Sequence, residues 1–274
     1  MERLDGGSAV PPEFRGGIVA LGNFDGFHRG HQAVVGRAIR WAREQGRPAI
    51  VATFDPHPVR YFRPDTPPFR LTTLDQRQRL FGEAGADAML VFSFDASLAR
   101  LTAREFAQHL TGPLGAAGVV TGEDFTFGKA REGDVAMLAA LGAELGFGAQ
   151  AVSPVGEGGA VVSSSRIRTL LVEGRPREAA ELLTRPFAIR GVVEPGAKLG
   201  RELGYPTANL RLGSYLRPKY GIYAVRGHLP DGRVVDGAAN LGVRPSFDPP
   251  IELLEPYFFD FSGDLYGQTI EVEL

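Results

Sequence analysis

The ten residues GNFDGFHRGH, at positions 22–31, hold two of the five histidines of the chain. His28 and His31 are three positions apart, and the apolar run GIVAL precedes this stretch directly. A buried strand followed by a helix would place both histidines at a helix N-terminus, where anions bind. An imidazole can donate a hydrogen bond to a phosphate, and a bound phosphate favours its charged form. The spacing therefore predicts that both histidines bind a polyphosphate, and that they do so from the same side of it.

On this stretch alone, two alternatives to phosphate binding stay open for the histidines. The His-x-x-His spacing also suits a metal pair, although the chain has no cysteine and no third histidine nearby in sequence. The second alternative is a pair of ordinary surface histidines. A P-loop is excluded because the pattern G-x-x-x-x-G-K-[ST] does not occur. Gly26 and Gly30 would let a phosphate approach the backbone closely.

Two later stretches carry groups of the same chemistry. SSSRIR, at 163–168, offers hydroxyls, backbone N–H groups and a guanidinium that could converge on pyrophosphate, or it is only an N-cap cluster. PGAKLGRELGYPTANL, at 195–210, combines glycines and a lysine that could wrap a polyphosphate, or it is a glycine-rich hairpin loop. Its Thr207 and Asn209 offer neutral oxygens, which suit a Mg²⁺ ion that already carries phosphate oxygens.

Short apolar strands alternate with helices in the first part of the chain. GGIVALGNF, PAIVATF, AMLVFSF and AAGVVTG read as buried strands, and the segment 31–45 and the stretches TLDQRQRLFGEAG and TAREFAQHL read as helices. This alternation predicts a parallel sheet covered on both faces, a Rossmann-like α/β domain. We place this domain at residues 1–184.

From residue 185 to 274 the pattern changes to closely spaced strands with almost no helical periodicity. The candidates are FAIRGVVEPG, GIYAVRGHL, RVVDGAANLG, ELLEPYFFDF and TIEVEL, and LPDGR has the composition of a hairpin turn between two of them. Strands of this kind predict an antiparallel β-barrel as a second domain.

The composition limits the classes of partner. Thirty basic against 32 acidic side chains argue against a broad nucleic-acid footprint, and no apolar stretch is long enough for a membrane span. The polar N-terminus lacks the apolar stretch of a secretory signal. A cytoplasmic protein that handles small molecules is the expectation, and the sequence leaves a homo-oligomer open.

The histidine stretch resembles the G-x-F-D-x-x-H-x-G-H signature of the nucleotidyltransferase superfamily, and SSSRIR is similar to its second element. The stretches TFDPHP (53–58) and GEDFTFGKAREGD (122–134) resemble the FMN adenylyltransferase module of prokaryotic bifunctional riboflavin kinase/FAD synthetases. The resemblance implies catalytic His28 and His31, with ATP contacted by Gly22, Phe24, Asp25, Gly26, His28, His31, Ser163, Ser164, Ser165 and Arg168. It implies FMN contacts from His57, Asp124, Phe125, Phe127 and Asp134.

The glycine-rich stretch of the second domain is similar to the flavokinase signature G-x-x-L-G-R-x-L-G-[YF]-P-T-A-N. KYGIYAVR, AANLGVRPSF and FDFSGDLYG follow in the order of that family. The resemblance implies phosphate contacts from Gly196, Lys198, Gly200, Gly204, Thr207 and Asn209, with Mg²⁺ on Thr207 and Asn209. It makes Glu255 the base for the ribityl 5′-hydroxyl, with Glu252 as a rival on the opposite face of the strand.

The resemblance thus implies a bifunctional enzyme that phosphorylates riboflavin to FMN and adenylylates FMN to FAD, with Mg·ATP in both steps. Two alternatives stay open. Family members typically continue beyond Leu274 into a helix thought to cover the flavin, so the kinase could be weak and only the adenylyltransferase active. A flavin-binding regulatory protein that keeps the fold without turnover is the second alternative.

Overall fold

The computed structural model describes residues 1–195, 208–244 and 250–274. They divide into two compact units, the first of Met1–Thr66 and Leu74–Val162 and the second of Pro67–Thr73 and Ser163–Leu274. Among the described residues, no helix is both long and apolar enough to cross a lipid bilayer.

The first unit is built on a parallel sheet. Its strands are β1 (Glu2–Asp5), β2 (Ile18–Leu21), β3 (Ala49–Asp55), β4 (Ala88–Ser93), β5 (Gly118–Gly122), β6 (Gly148–Val152), β7 (Gly156–Glu157) and β8 (Ala160–Val161). Its helices are α1 (Arg29–Glu44), α2 (Pro58–Phe62), α3 (Leu74–Glu83), α4 (Ala96–Arg100), α5 (Ala103–Thr111) and α6 (Val135–Leu145). The sheet order is β1-β4-β3-β2-β5-β6, and β7 and β8 form a separate hairpin.

The apolar run of β2 is continuous because both faces of the sheet are covered. Val19 and Leu21 belong to the core on one face, and Ile18 and Ala20 belong to the core on the other. The predicted parallel, doubly covered sheet is confirmed. Two strands of this sheet, β1 and β6, are not predicted from the sequence, because they lie at the sheet edges and lack a run of buried apolar residues.

The strand order creates a topological switch point in this unit. From β2 the chain moves outward to β3 and β4 on one side, and then returns to add β5 and β6 on the other. Ligands of open α/β sheets bind at the carboxyl ends of the strands beside such a point. The loops that follow β2, β3 and β5 all leave this edge, and they carry the histidine stretch, TFDPHP and GEDFTFGKAREGD.

The second unit combines a helix pair with an antiparallel sheet. Its elements are α7 (Ser164–Val172), α8 (Pro176–Leu183), β9 (Ala188–Val192), β10 (Leu210–Arg211), β11 (Gly221–His228), β12 (Val234–Arg244), β13 (Ile251–Phe258) and β14 (Thr269–Glu273). The described strands run in the order β10-β13-β12-β11-β14-β9, and a bridge between Glu194 and Asn209 joins the two ends. The predicted antiparallel barrel is confirmed.

The segment Pro67–Thr73 comes from the first half of the chain and packs with the second unit. The Arg70 N–H donates to Ser214 O at 3.1 Å, and the Arg70 carbonyl accepts from Leu216 N at 2.8 Å. The helix pair α7–α8 also packs with this unit. The first compact unit therefore ends at residue 162, before the domain boundary that we predict from the sequence at residue 184.

Candidate functional site

The histidine stretch forms the loop between β2 and α1. His28 is the N-cap residue of α1, and its Nδ1 accepts a 3.4 Å hydrogen bond from the His31 N–H. The two imidazole rings stack with their centroids 3.6 Å apart, and His28 is buried. Because an accepting Nδ1 has no proton, the proton of a neutral His28 lies on Nε2. Nε2 is then the donor that a phosphate would use.

The glycines of this loop make room for its rings. A Cβ on Gly30 would lie 3.1 Å from His28 Cε1, and a Cβ on Gly22 would lie 3.1 Å from the Phe24 ring. Gly26 has φ +88°, a left-handed conformation that glycine adopts without strain. These residues therefore shape the loop, and the close approach of a phosphate to Gly26 and Gly30 remains a prediction.

The residues of the first unit that are predicted to contact flavin lie in the loops at the same edge of the sheet. His57 caps α2, with its Nδ1 accepting from Val59 N at 3.2 Å, and Asp134 caps α6, with its Oδ1 accepting from Met137 N at 2.8 Å. Asp124 is exposed. Both caps have a local structural function, so the FMN contacts of these residues remain predictions.

The two predicted phenylalanines differ in their accessibility. Phe125 and Phe127 stack with ring centroids 5.8 Å apart. Phe127 is buried in the core, with its ring 5.7 Å from that of Phe106, whereas Phe125 is half-buried at the margin of the same core. Phe127 is therefore a core residue, and the flavin contacts of both phenylalanines remain predictions.

Sequence reasoning missed an aromatic cluster at the ends of β3 and β4. The Phe94 ring lies 5.4 Å from that of Tyr61 and 5.7 Å from that of Phe62. Phe62 is 64% exposed, which is unusual for a phenylalanine. The pair Tyr61–Phe62 follows TFDPHP closely, but sequence alone does not distinguish exposed from core aromatics.

The second polar stretch begins α7 in the second unit. Ser163 is the N-cap, its side chain accepting from Arg166 N at 3.2 Å, and Ser164 and Ser165 lie in the first turn. Arg168 Nε donates to Phe69 O at 2.9 Å, and its guanidinium carbon lies 5.1 Å from the Phe69 ring centroid. Phe69 is 99 positions away in sequence, and no sequence pattern indicates this contact.

Glu255 lies on β13 opposite Asn240 of β12 and is 9% exposed. Asn240 Nδ2 donates to Glu255 Oε2 at 3.1 Å, and Arg244 forms an ion pair with the same oxygen. An amide and a guanidinium thus hold this carboxylate in one orientation.

Glu252, the rival, has different partners. Arg217 Nε donates to its Oε2 at 2.8 Å, and the Tyr220 hydroxyl donates to its Oε1. The Arg217 hydrogen bond lowers the pKa of Glu252. Desolvation, together with Glu252, raises the pKa of Tyr220 to about 12. Both carboxylates therefore pair with an arginine, and they differ in burial, because the side chain of Glu252 is 32% exposed and that of Glu255 is 10% exposed.

The phosphate loop of the barrel is described only at its end. Gly196, Lys198, Gly200, Gly204 and Thr207 lie outside the described residues. Asn209 is buried, and its Nδ2 donates to Glu194 O at 3.4 Å, which orients the amide. The described residues contain no group of three His, Cys, Asp or Glu side chains that could hold a metal. A Mg²⁺ ion that arrives with ATP needs only one or two protein oxygens, which Asn209 fits.

The fold and these sites define a two-unit enzyme of phosphate-group transfer. Residues 10–166 match the family model described as FAD synthetase, and residues 183–274 match the one described as riboflavin kinase. The chain belongs to the bifunctional riboflavin kinase/FMN adenylyltransferase family.

Curated relatives named bifunctional riboflavin kinase/FMN adenylyltransferase agree with this assignment. The protein of Escherichia coli K12 is 38% identical over 97% of this chain and 85% of its own length. That of Pseudomonas fluorescens is 40% identical over 99% and 88%.

A solved structure described as a macrolide-efflux protein from Streptococcus pneumoniae is also similar. It has a TM-score of 0.88 and 30% identity, covering 100% of this chain and 90% of that one. Efflux is not carried over to this chain, because both family models and the curated relatives agree on flavin-nucleotide synthesis.

Proposed function

We propose that the barrel phosphorylates riboflavin to FMN and that the α/β domain adenylylates FMN to FAD. The proposed functional division lies between residues 184 and 185, and the cytoplasm, which supplies ATP, is the proposed location. The observation that carries the proposal is the N-cap His28 of α1, stacked on His31 at the topological switch point, in a chain whose barrel holds an oriented Glu255.

In the adenylyl transfer, a phosphate oxygen of FMN attacks the α-phosphorus of ATP, and pyrophosphate leaves. The protein needs no nucleophile of its own, so its residues position the reactants and neutralise charge. His28 would donate from Nε2 to a phosphate oxygen on which charge develops. Ser163, Ser164, Ser165 and Arg168 would donate to the pyrophosphate, and the Phe69 carbonyl keeps the Arg168 guanidinium in one orientation.

The flavin of FMN needs a flat apolar contact. The exposed ring of Phe62, braced against Tyr61 and Phe94, supports such a contact at the carboxyl ends of β3 and β4. Phe125 would contribute from the loop after β5. His57 and Asp134 lie on loops of the same sheet edge and would hold the polar part of FMN.

In the kinase reaction, Glu255 would accept the proton of the ribityl 5′-hydroxyl as that oxygen attacks the γ-phosphorus of ATP, and ADP leaves as the bond from the γ-phosphorus to the bridging oxygen breaks. Asn240 and Arg244 would fix the direction of its carboxylate. Thr207 and Asn209 would hold Mg²⁺, which neutralises charge on the ATP phosphates.

The test is product analysis with two variants that report on different domains. Wild-type protein, His28→Ala and Glu255→Gln are each incubated with Mg·ATP and either riboflavin or FMN, and the flavins are separated by chromatography. We expect His28→Ala to reduce FAD formation about 10²-fold, the usual loss for one transition-state contact, and to leave FMN formation intact. Glu255→Gln should lose FMN formation and keep FAD formation from FMN.

The alternatives give other patterns. An enzyme with only the adenylyltransferase active would make FAD from FMN but no FMN from riboflavin. A regulatory protein would bind flavin and convert neither substrate. Loss of both activities in folded His28→Ala would contradict the assignment of the two reactions to separate domains.

A further inference from the structure

Arg77 of α3 is a buried arginine that the proposed reactions do not use. Its side chain is only 2% exposed. Its Nη1 lies 3.1 Å from the carbonyl oxygen of Asn23 and 2.9 Å from Oγ1 of Thr53, and it can donate to both. The Thr53 hydroxyl in turn donates to the same Asn23 carbonyl at 2.8 Å. One guanidinium thus ties α3 to strand β3 and to the loop that carries the histidines.

The loop held in this way has an unusual backbone. Phe24 and Phe27 both have positive φ, +48° and +45°, which costs free energy for residues other than glycine. Their rings contact Phe81 of α3 at centroid distances of 5.9 and 5.0 Å. A conformation of this kind persists only where the surroundings enforce it, and α3 supplies both a polar contact at Asn23 and an apolar contact at the two phenylalanines.

Stability alone does not explain a buried guanidinium. Removing an arginine from water is costly, and replacing a buried charged group together with its partners by apolar side chains is often neutral or stabilising. The position of the donor, in contrast, is specific, because the Nη1 nitrogen alone reaches two acceptors on separate elements.

We infer that Arg77 is a positioning residue for adenylyl transfer: by holding the Asn23 carbonyl it fixes the loop that presents His28 to the ATP phosphates. The inference rests on the proposed function of His28. Without Arg77 the loop can relax from its strained backbone, and the His28 donor then meets the phosphate in the wrong position.

The principal test is a double-mutant cycle between Arg77→Met and His28→Ala, followed by kcat and KM for FAD formation from FMN and Mg·ATP. Met keeps much of the volume and removes the donors. We expect Arg77→Met alone to lower kcat at least 10-fold with less than a 3-fold change in the KM for ATP. In the His28→Ala background the same substitution should lower kcat less than 2-fold, because its effect passes through the histidine.

Two further variants supply a rescue and a control. Arg77→Lys keeps a donor, and it should recover part of the lost kcat. Arg79→Met, two residues along the same helix, removes a half-exposed arginine that pairs with Glu83, and it should leave kcat unchanged. Riboflavin phosphorylation should be unaffected in every variant.

Thr53→Val replaces the test if Arg77→Met does not fold. It removes the bridging hydroxyl at nearly constant volume, and the same non-additivity with His28→Ala is expected. Independent, multiplying losses in the cycle, or a wild-type kcat in folded Arg77→Met, would overturn the inference. A wild-type protein that makes no FAD would instead refute the proposed function, so the two failures are distinguishable.

Discussion

Replacing Gly30 by alanine separates the position of the His28 ring from the stability of α1. Gly30 is the second residue of that helix. An added Cβ would lie 3.1 Å from Cε1 and 3.2 Å from Nδ1 of His28, and 3.4 Å from Val162 O. Contacts this close oblige the neighbour to give by a few tenths of an ångström. The ring is the mobile partner, so we expect it to move.

The expected loss of activity follows from the size of this shift. A misplacement of about 1 Å at a reacting centre can cost about 10²-fold in rate, so a few tenths of an ångström correspond to about 4- to 10-fold. Alanine is favoured over glycine in a helix by up to about 1 kcal/mol, which offsets the cost of the close contacts. FAD formation should therefore fall while the melting temperature stays nearly constant.

The assay compares FAD formation from FMN and Mg·ATP with riboflavin phosphorylation by the same protein. Gly36→Ala is the matched control, because it lies on the same helix and its Cβ would meet only the Arg40 Nη1 atom, at 3.4 Å. It should keep full activity. Wild-type FAD formation by Gly30→Ala would refute the reasoning that this glycine positions the His28 ring.

Three further predictions concern the second unit. Glu255→Gln should lower the kcat of the kinase with little change in ATP affinity. Glu252→Gln should leave the kcat of the kinase nearly unchanged. A larger loss of kcat in Glu252→Gln than in Glu255→Gln would show that the base is misassigned. Arg217 lowers the pKa of Glu252, so the ionised Glu252 stabilises the folded protein. This contribution to the free energy of unfolding is complete above the usual glutamate pKa, and it is lost as the pH falls through the lowered pKa. The difference in melting temperature between wild type and Glu252→Gln should accordingly shrink on acidification, and a constant difference between pH 7 and pH 3 would contradict this. Phe69→Leu removes the ring beneath Arg168 but keeps the carbonyl, so FAD formation should fall about 2- to 5-fold without loss of kinase activity, and an unchanged rate would show that the stacking is unimportant.

The sequence identified the parts of the fold whose signals are local. The four central strands of the first sheet are nearly continuous apolar runs because both faces are covered. The helix 103–111 begins with the capping box of Thr102 and Glu105, and the LPDGR turn joins β11 to β12. The chemical identity of the histidine loop is also local, since ten consecutive residues carry it.

The sequence did not indicate which of the two units the helices α7 and α8 pack with. Their apolar faces, for example Ile167 and Leu182, need a covering surface, but an apolar face does not encode which neighbour covers it. The chain packs them with the second unit, together with the segment Pro67–Thr73. The boundary between the two compact units, after residue 162, therefore differs from the position near residue 184 at which the predicted helices give way to closely spaced strands.

By itself the sequence determined the two fold classes and the order of the motifs, and it predicted which residue types contact phosphate. Only the tertiary structure decided which groups orient them: Gly30 beside the His28 ring, Arg77 at the Asn23 carbonyl, Phe69 beneath Arg168, and Asn240 beside Glu255. For Arg77, Phe69 and Asn240 the physical reason is distance along the chain, whereas for Gly30 it is the orientation of the His28 ring, which the spacing of the two residues does not define. Periodicity and capping act over a few residues, whereas the contacts of Arg77 and Phe69 span 54 and 99 positions and exist only after the strands and helices have packed.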